Sequence, residues 1–289
     1  MLYITANKEA VDTALLTKDM AVREFALAYD IPLSEIAAIG DGIIDLPMLS
    51  IDGLGLIGAP GNANSRVKDL VNSRNGHVSD KKVLDAFFEF YGIAGNRGIS
   101  HVISDKDGVL ISEGDRSRGG EFAKLASVMG NGNPFVSVLT GSAYEQNSDF
   151  ALAYGLTKDI DNPTVRKFPY LILAENGGVH VNILTGETHL PALNAYEVGV
   201  LKGRYEQAVK REVEKFMRSF NFKWSLDHND QRGRVYCPDK RSMVTVNIPR
   251  EYHNGKKFRD SEDATRFRSG VYAIMLETAQ KLGMVYREL

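Results

Sequence analysis

Two aspartates separated by one residue, Asp105 and Asp107, follow an apolar segment and lead into Gly108. Carboxylates at this spacing can share a metal ion, and one of them can attack phosphorus as a nucleophile. The pattern Asp-x-Asp-Gly is also common in turns and in calcium-type loops. Further residues are therefore needed before a reaction can be inferred from it.

Two other polar clusters also follow short apolar runs. One is the segment 140–142, with the sequence Thr-Gly-Ser, and the other contains Asp41 and Asp45. Ligands of a parallel sheet bind beyond the carboxyl ends of its strands, so we expect the clusters to meet there. A hydroxyl and backbone amides could hold phosphoryl oxygens, and a lysine could add a fixed positive charge. Each cluster taken alone could equally be a turn.

Strands and helices alternate through the first two thirds of the chain. The predicted buried strands are 36–39, 54–57, 99–105, 135–139 and 170–174. The predicted helices are 17–30, 63–72, 80–91 and 119–130. This alternation predicts an α/β fold with a doubly wound, Rossmann-like parallel sheet covered by helices on both faces. After residue 177, short alternating runs and two long helical patterns predict a smaller α+β module.

Taken together, the motifs resemble those of the haloacid dehalogenase superfamily. The segments that resemble its first to fourth motifs are, in that order, 105–109, Thr140, Lys18 at a helix start, and 40–49. Residues 61–63, Gly-Asn-Ala, resemble Cof-type and sucrose-phosphatase-like members, and 175–177, Glu-Asn-Gly, resemble their junction with a C2-type cap. The resemblance covers nearly the whole chain, although the cap is matched by position only.

The resemblance implies a role for each matching residue. Asp105 would be the nucleophile and Asp107 the acid/base, while Thr140 and Lys18 would hold the phosphoryl group. The implied substrate-binding residues are Gly141, Ser142, Asn62 and Asn176. The implied Mg²⁺ site consists of Asp105, Asp107 through its backbone carbonyl, Asp41 and Asp45, the last supporting either the metal or Lys18. Ile44 stands where many relatives have asparagine, which weakens any assignment of the outer metal shell.

The order of the motifs is unusual, because the third and fourth precede the first and second. Joining Leu289 to Met1 would restore the usual order, so we predict a circular permutation cut inside the cap. The predicted divisions are a last cap strand and hinge at 1–14, a core at 15–176 with a linker at about 92–98, and a C2-type cap at 177–289. Leu2 to Thr5 should pair near residues 284–286. Alternatively, two half-domains complete their sites between chains of an oligomer.

Composition points to an ordinary globular protein. Hydrophobic residues make up 43%, charged residues 25%, and the formal net charge is −2, which indicates neither nucleic acid nor an anionic membrane as a partner. The single cysteine, Cys237, excludes an internal disulfide and cysteine-rich zinc sites. No signal-peptide pattern and no membrane-length apolar run is present, so we expect a cytoplasmic location.

The function that we predict is a Mg²⁺-dependent phosphatase, a phosphoric monoester hydrolase that works through an aspartyl-phosphate. Its partner would be a small phosphorylated metabolite, most simply a phosphosugar, with a homo-oligomer as a further possibility. Two alternatives stay open at this point. One is a phosphotransferase or phosphomutase-like enzyme, and the other is a non-catalytic ligand-binding module with the same fold.

Overall fold

The computed structural model describes residues 1–8, 10–111, 133–142, 171–182, 188–189, 193–227 and 230–288. The chain forms two compact units, one of residues 17–192 and the other of residues 1–16 together with 193–289. The helix predicted at 119–130 lies outside the described residues. None of the helices within these ranges has the length and hydropathy needed to cross a bilayer.

The 17–192 unit is built on an eight-stranded sheet in the order β10-β9-β8-β7-β6-β3-β4-β5. Its strands are β3 (Ile36–Ile39), β4 (Leu56–Ala59), β5 (His77–Val78), β6 (His101–Asp105), β7 (Phe135–Leu139), β8 (Leu171–Ala174), β9 (Val179–Asn182) and β10 (Thr188–His189). The strands from β5 to β8 pair in parallel, and β9 and β10 pair antiparallel. The parallel part matches the predicted doubly wound sheet.

Helices cover both faces of this sheet. They are α1 (Lys18–Ala28), α2 (Leu46–Leu49), α3 (Ser65–Ser73) and α4 (Val83–Asn96). Neighbouring residues of β6 show the arrangement, since Val102 packs in one apolar cluster with Phe87 of α4 and Ile103 in another with Phe25 of α1. Successive side chains of a strand point to opposite faces, so a central strand with two apolar faces needs a helix layer on each. The α/β fold class is therefore confirmed.

The other unit combines a six-stranded sheet with helices. Its strand order is β11-β12-β13-β2-β1-β14. The strands are β1 (Leu2–Ala6), β2 (Ala10–Ala14), β11 (Lys223–Ser225), β12 (Arg234–Tyr236), β13 (Met243–Asn247) and β14 (Tyr286–Glu288). The helices are α5 (Ala195–Val200), which continues as a π-helical segment (Leu201–Glu206) into α6 (Gln207–Met217), and α7 (Glu262–Lys281).

The first strand of the chain pairs with the last strand described. Leu2 lies opposite Tyr286 and Ile4 opposite Glu288, close to the pairing predicted from the sequence. The two strands are parallel. Since parallel neighbours cannot be joined by a tight hairpin, a link between them would have to run back along the sheet. The circular permutation stays a prediction.

Two boundaries differ from those predicted. The proposed linker at about 92–98 is mostly helical, since α4 continues to Asn96 and Ala94 is fully buried. Burial of Ala94, with partial burial of Ile93, outweighs the low helix propensity of Gly95. The predicted cap region 177–289 also begins too early, because β9 returns to the large sheet beside β8. Positive φ angles at residues 175–177 reverse the chain there and bring the two strands together.

Candidate active site

The three polar clusters follow neighbouring strands of the parallel sheet. Strand β6, which ends at Asp105, lies between β3 and β7. Asp41 comes shortly after β3, and Thr140 directly after β7. The register aligns these ends, since Asp105 is opposite Leu139. The structure therefore places the clusters together at the carboxyl end of the sheet, as predicted.

Lys18 connects two of the aspartates. Its Nζ donates to Oδ1 of Asp45 at 2.5 Å and to Oδ1 of Asp105 at 2.6 Å. The Lys18 side chain is 1% exposed and that of Asp45 is fully buried. Burial alone would lower the pKa of Lys18, but the charges of Asp105 and Asp45 outweigh it and raise that pKa. The lysine therefore stays charged between two carboxylates.

Asp45 is fixed by its backbone surroundings as well as by Lys18. Its second oxygen, Oδ2, accepts hydrogen bonds from the backbone N–H of Asp41 at 3.0 Å and of Gly42 at 2.9 Å. Gly40 allows this approach, because a Cβ there would lie 2.5 Å from the Cβ of Asp45. With both oxygens engaged in this way, Asp45 is suited to orient Lys18 and the Asp41 loop.

Oxygen atoms from Asp41, Asp45 and Asp105 lie within 4.8 Å of one another. Burial raises the pKa of Asp105, with a further rise from Asp45 and an opposing effect of Lys18. Burial also raises the pKa of Asp41 to about 7, with Asp45 adding to the rise and Lys18 opposing it. One buried ammonium therefore does not offset the three carboxylates. Hard carboxylate oxygens with excess negative charge fit a Mg²⁺ ion.

The turn after Asp107 packs against Asp41. Gly108 has φ +84°, and a Cβ at that position would overlap Oδ2 of Asp41. The Gly108 carbonyl accepts a hydrogen bond from Nδ2 of Asn62 at 2.8 Å, and Oδ1 of Asn62 accepts one from the backbone N–H of Val83 at 2.9 Å. Asn62 was predicted to bind substrate, but in the structure its amide ties this turn to the start of α4.

The loop after β7 is held by its own hydroxyls. Oγ1 of Thr140 donates to Oγ of Ser142 at 3.2 Å and accepts from the Ser142 backbone N–H at 3.1 Å. The backbone N–H of Asn176 donates to the Thr140 carbonyl at 2.9 Å, which brings a second predicted residue to the same loop. A Cβ at Gly141 would lie 3.4 Å from Oδ1 of Asn176, so these residues are close neighbours.

Sequence reasoning missed one residue of this site, Lys106. Its Nζ donates to Oγ of Ser142 at 2.7 Å and lies 3.4 Å from Oδ2 of Asp107. The Lys106 side chain is 7% exposed, whereas that of Asp107 is 56% exposed. A lysine in this motif position, next to two carboxylates, was the available signal. Alternation along an extended segment places residue 106 on the face opposite Asp105 and Asp107, so spacing alone does not predict its contact with Ser142.

Comparison with known proteins bears on part of this arrangement. Residues 13–87 match the family model described as haloacid dehalogenase-like hydrolase. The matched segment contains Lys18, Asp41 and Asp45, while Asp105 and Thr140 lie beyond it. No curated protein and no solved structure matched the chain significantly. The match over residues 13–87 supports the resemblance to the haloacid dehalogenase superfamily that the motifs predicted, and with it an activity of hydrolase type.

Proposed function

We propose that the protein is a Mg²⁺-dependent phosphatase that hydrolyses a small phosphorylated metabolite through an aspartyl-phosphate. The observation that carries the proposal is the pair of contacts from Lys18 to Asp105 and Asp45. These contacts join the residues of the third and fourth motifs to the predicted nucleophile of the first. A binding module would have no evident need to hold a buried lysine against that carboxylate.

In the first step, Asp105 attacks the phosphorus of the ester. One of its oxygens, Oδ1, accepts from Lys18, which leaves Oδ2 for the attack. The bond from phosphorus to the ester oxygen breaks as the new bond to Asp105 forms, and Asp107 gives its proton to the leaving oxygen. The Thr140 hydroxyl and the Lys18 ammonium would hold the phosphoryl oxygens.

In the second step, the aspartyl-phosphate is hydrolysed. Asp107, now a carboxylate, takes a proton from a water molecule as the water oxygen attacks phosphorus. The bond between phosphorus and Asp105 breaks, inorganic phosphate leaves, and both aspartates return to their first state. The exposed side chain of Asp107 suits this role, because it must meet both the leaving group and water.

Asp41 and Asp105 are the residues that would hold Mg²⁺, with Asp45 orienting Lys18 beside them. When bound, the ion would offset the negative charge of these carboxylates and of the phosphoryl oxygens. The raised pKa values of Asp41 and Asp105 support this assignment, since both carboxylates lack a sufficient countercharge in the protein alone. Chelation with EDTA should abolish turnover, and added Mg²⁺ should restore it.

The variant Asp105→Asn tests the nucleophile directly. We expect it to lose phosphate release from p-nitrophenyl phosphate and from a panel of phosphosugars, phosphorylated acids and nucleotides. Retained activity would show that Asp105 is not the nucleophile. Supplying an acceptor sugar to the wild type separates hydrolysis from phosphotransfer, because a phosphorylated acceptor in place of free phosphate would contradict the phosphatase.

A further inference from the structure

Lys106 is a buried lysine inside the motif that carries both catalytic aspartates. Burial of an ammonium is costly unless it is paired, and the Lys106 side chain is only 7% exposed. Its Nζ lies 2.7 Å from Oγ of Ser142 and 3.4 Å from Oδ2 of Asp107. The ammonium therefore stands between the loop after β6 and the loop after β7.

The contact continues from Ser142 to Thr140. The two residues share a hydroxyl–hydroxyl bond of 3.2 Å, and the Ser142 backbone N–H donates to Thr140. A chain of polar contacts thus runs from Asp107 through Lys106 and Ser142 to Thr140. Because β6 and β7 are paired in register, the loops that follow them lie side by side, and this pairing supports the series of polar contacts.

Asp107 needs such a restraint more than Asp105 does. Its side chain is 56% exposed, whereas the side chain of Asp105 is 10% exposed and bound to Lys18. An exposed carboxylate samples several rotamers, and each unproductive rotamer removes a proton donor from the leaving oxygen. The positive charge of Lys106 favours the rotamer that faces the 140–142 loop.

We propose that Lys106 is a positioning residue that holds the Asp107 carboxylate where it can protonate the leaving group. The inference rests on the proposed function and deepens it, because it assigns to Lys106 a part in cleaving esters with poor leaving groups. Aryl phosphates depart without full protonation of the leaving oxygen, whereas alkyl phosphates depend on the acid. Loss of Lys106 should therefore harm alkyl ester cleavage more than aryl ester cleavage.

The experiment compares Lys106→Met with the wild type on p-nitrophenyl phosphate and on the sugar phosphate that the wild type hydrolyses fastest. We expect kcat/KM for the sugar phosphate to fall at least tenfold more than kcat/KM for the aryl ester. Lys106→Arg, which keeps the charge, should restore most of the difference. Equal losses on both substrates, or no rescue by arginine, would overturn the positioning role.

Ser142→Ala provides an independent test, because it removes the other partner of the Lys106 ammonium. It should show the same substrate selectivity, and its effect should not add to that of Lys106→Met in the double variant. Additive effects would contradict a shared network. Lys81→Met, which removes an ion pair with Glu89 at 3.1 Å, is the matched control. It should leave kcat/KM for both substrates unchanged.

Failure of this inference can be told from failure of the phosphatase proposal. If Asp105→Asn retains activity, the proposed function is wrong, and the substrate selectivity of Lys106→Met then says nothing about a role of Lys106 at Asp107. If Asp105→Asn is inactive while Lys106→Met lowers kcat/KM equally for both substrates, the phosphatase proposal is retained and only the role of Lys106 is wrong. Thermal unfolding of each variant verifies that the proteins compared are folded.

Discussion

The ammonium of Lys18 and the carboxylate of Asp105, 87 residues apart in the sequence, form a buried contact of 2.6 Å. Asp45 binds the same ammonium at 2.5 Å. The lysine thus has two electrostatic tasks, since it offsets carboxylates that would otherwise be buried without a partner and it keeps positive charge beside the proposed nucleophile. The two tasks can be separated by mutation.

Lys18→Met should lower both stability and activity. Without Mg²⁺, two buried carboxylates lose their shared cation, which costs about 3–5 kcal/mol in the free energy of unfolding. Loss of one fixed charge beside the reacting group should lower phosphatase kcat by about 100-fold or more. Urea denaturation and steady-state kinetics measure the two effects.

The double variant Lys18→Met/Asp45→Asn is the control for this experiment. Removing one of the two unpaired charges should recover part of the lost stability, while activity stays low because the cation is still missing. Recovery of activity together with stability would contradict a direct electrostatic role of Lys18 at Asp105.

Gly108→Ala should impair the proposed metal site beyond its effect on the backbone. Gly108 has a positive φ, and a Cβ there would overlap the Asp41 carboxylate. The alanine should cost about 1 kcal/mol or more in stability, and it should weaken Mg²⁺ binding at least tenfold by displacing Asp41. Isothermal titration calorimetry with Mg²⁺ measures the second effect.

Gly98→Ala is the matched control, because Gly98 also has a positive φ of +72° but, among the residues that the structure describes, no heavy atom beyond its chain neighbours lies within 4 Å of a Cβ at that position. Its free energy of unfolding should fall by an amount similar to that of Gly108→Ala, without any change in Mg²⁺ affinity. Equal Mg²⁺ affinities of the two variants would show that Asp41 is not held by contact with the Gly108 turn.

The parts of the site that could be predicted from the sequence are those set by strand ends. Asp105 is the last residue of a short buried strand, Asp41 and Thr140 each come just after one, and parallel strands bring such residues to one edge. The end of α4 and the pairing of β9 were mispredicted for a different reason. Both depend on burial against distant residues, such as the packing around Ala94, which local propensity does not contain.

The two roles of Asn62 and Lys106 show the same limit. A motif predicts which residues gather at a site, but the partner of each side chain depends on loop geometry. The amide of Asn62 binds Gly108 and Val83, whereas the ammonium of Lys106 points to Ser142. Neither partner follows from spacing along the chain, because each contact crosses between separate loops.

Asn62→Asp should loosen the turn that follows Asp107. The carboxylate can still accept from Val83, but it cannot donate to the Gly108 carbonyl, so two oxygens face each other. We expect kcat to fall several-fold with little change in KM, because Asp107, the proposed acid/base, is displaced and substrate contacts are not. A large rise in KM with unchanged kcat would instead favour the substrate-binding role predicted from the sequence.

Asn64→Ala serves as the control for the preceding variant. Oδ1 of Asn64 accepts from the backbone N–H of Arg66 and caps α3. Loss of this cap should cost about 1 kcal/mol in the free energy of unfolding and leave kcat unaffected. The comparison separates loss of an asparagine hydrogen bond in general from loss of the particular bond to Gly108.

His101 should make the stability of the protein depend on pH between about 4 and 6.5. Burial lowers the pKa of His101 from 6.5 to about 4, with a partly opposing effect of Glu35, and its ring packs between those of Phe25 and Phe135. The unfolded chain thus binds a proton at a higher pH than the folded one. Stability from this group is complete above about pH 6.5 and is lost as the pH falls towards 4, by at most about 1.4 kcal/mol per pH unit.

His101→Phe keeps an aromatic ring but cannot titrate, so urea unfolding of this variant should vary less with pH across that window. Parallel curves for the variant and the wild type would show that His101 is protonated alike in the folded and unfolded states.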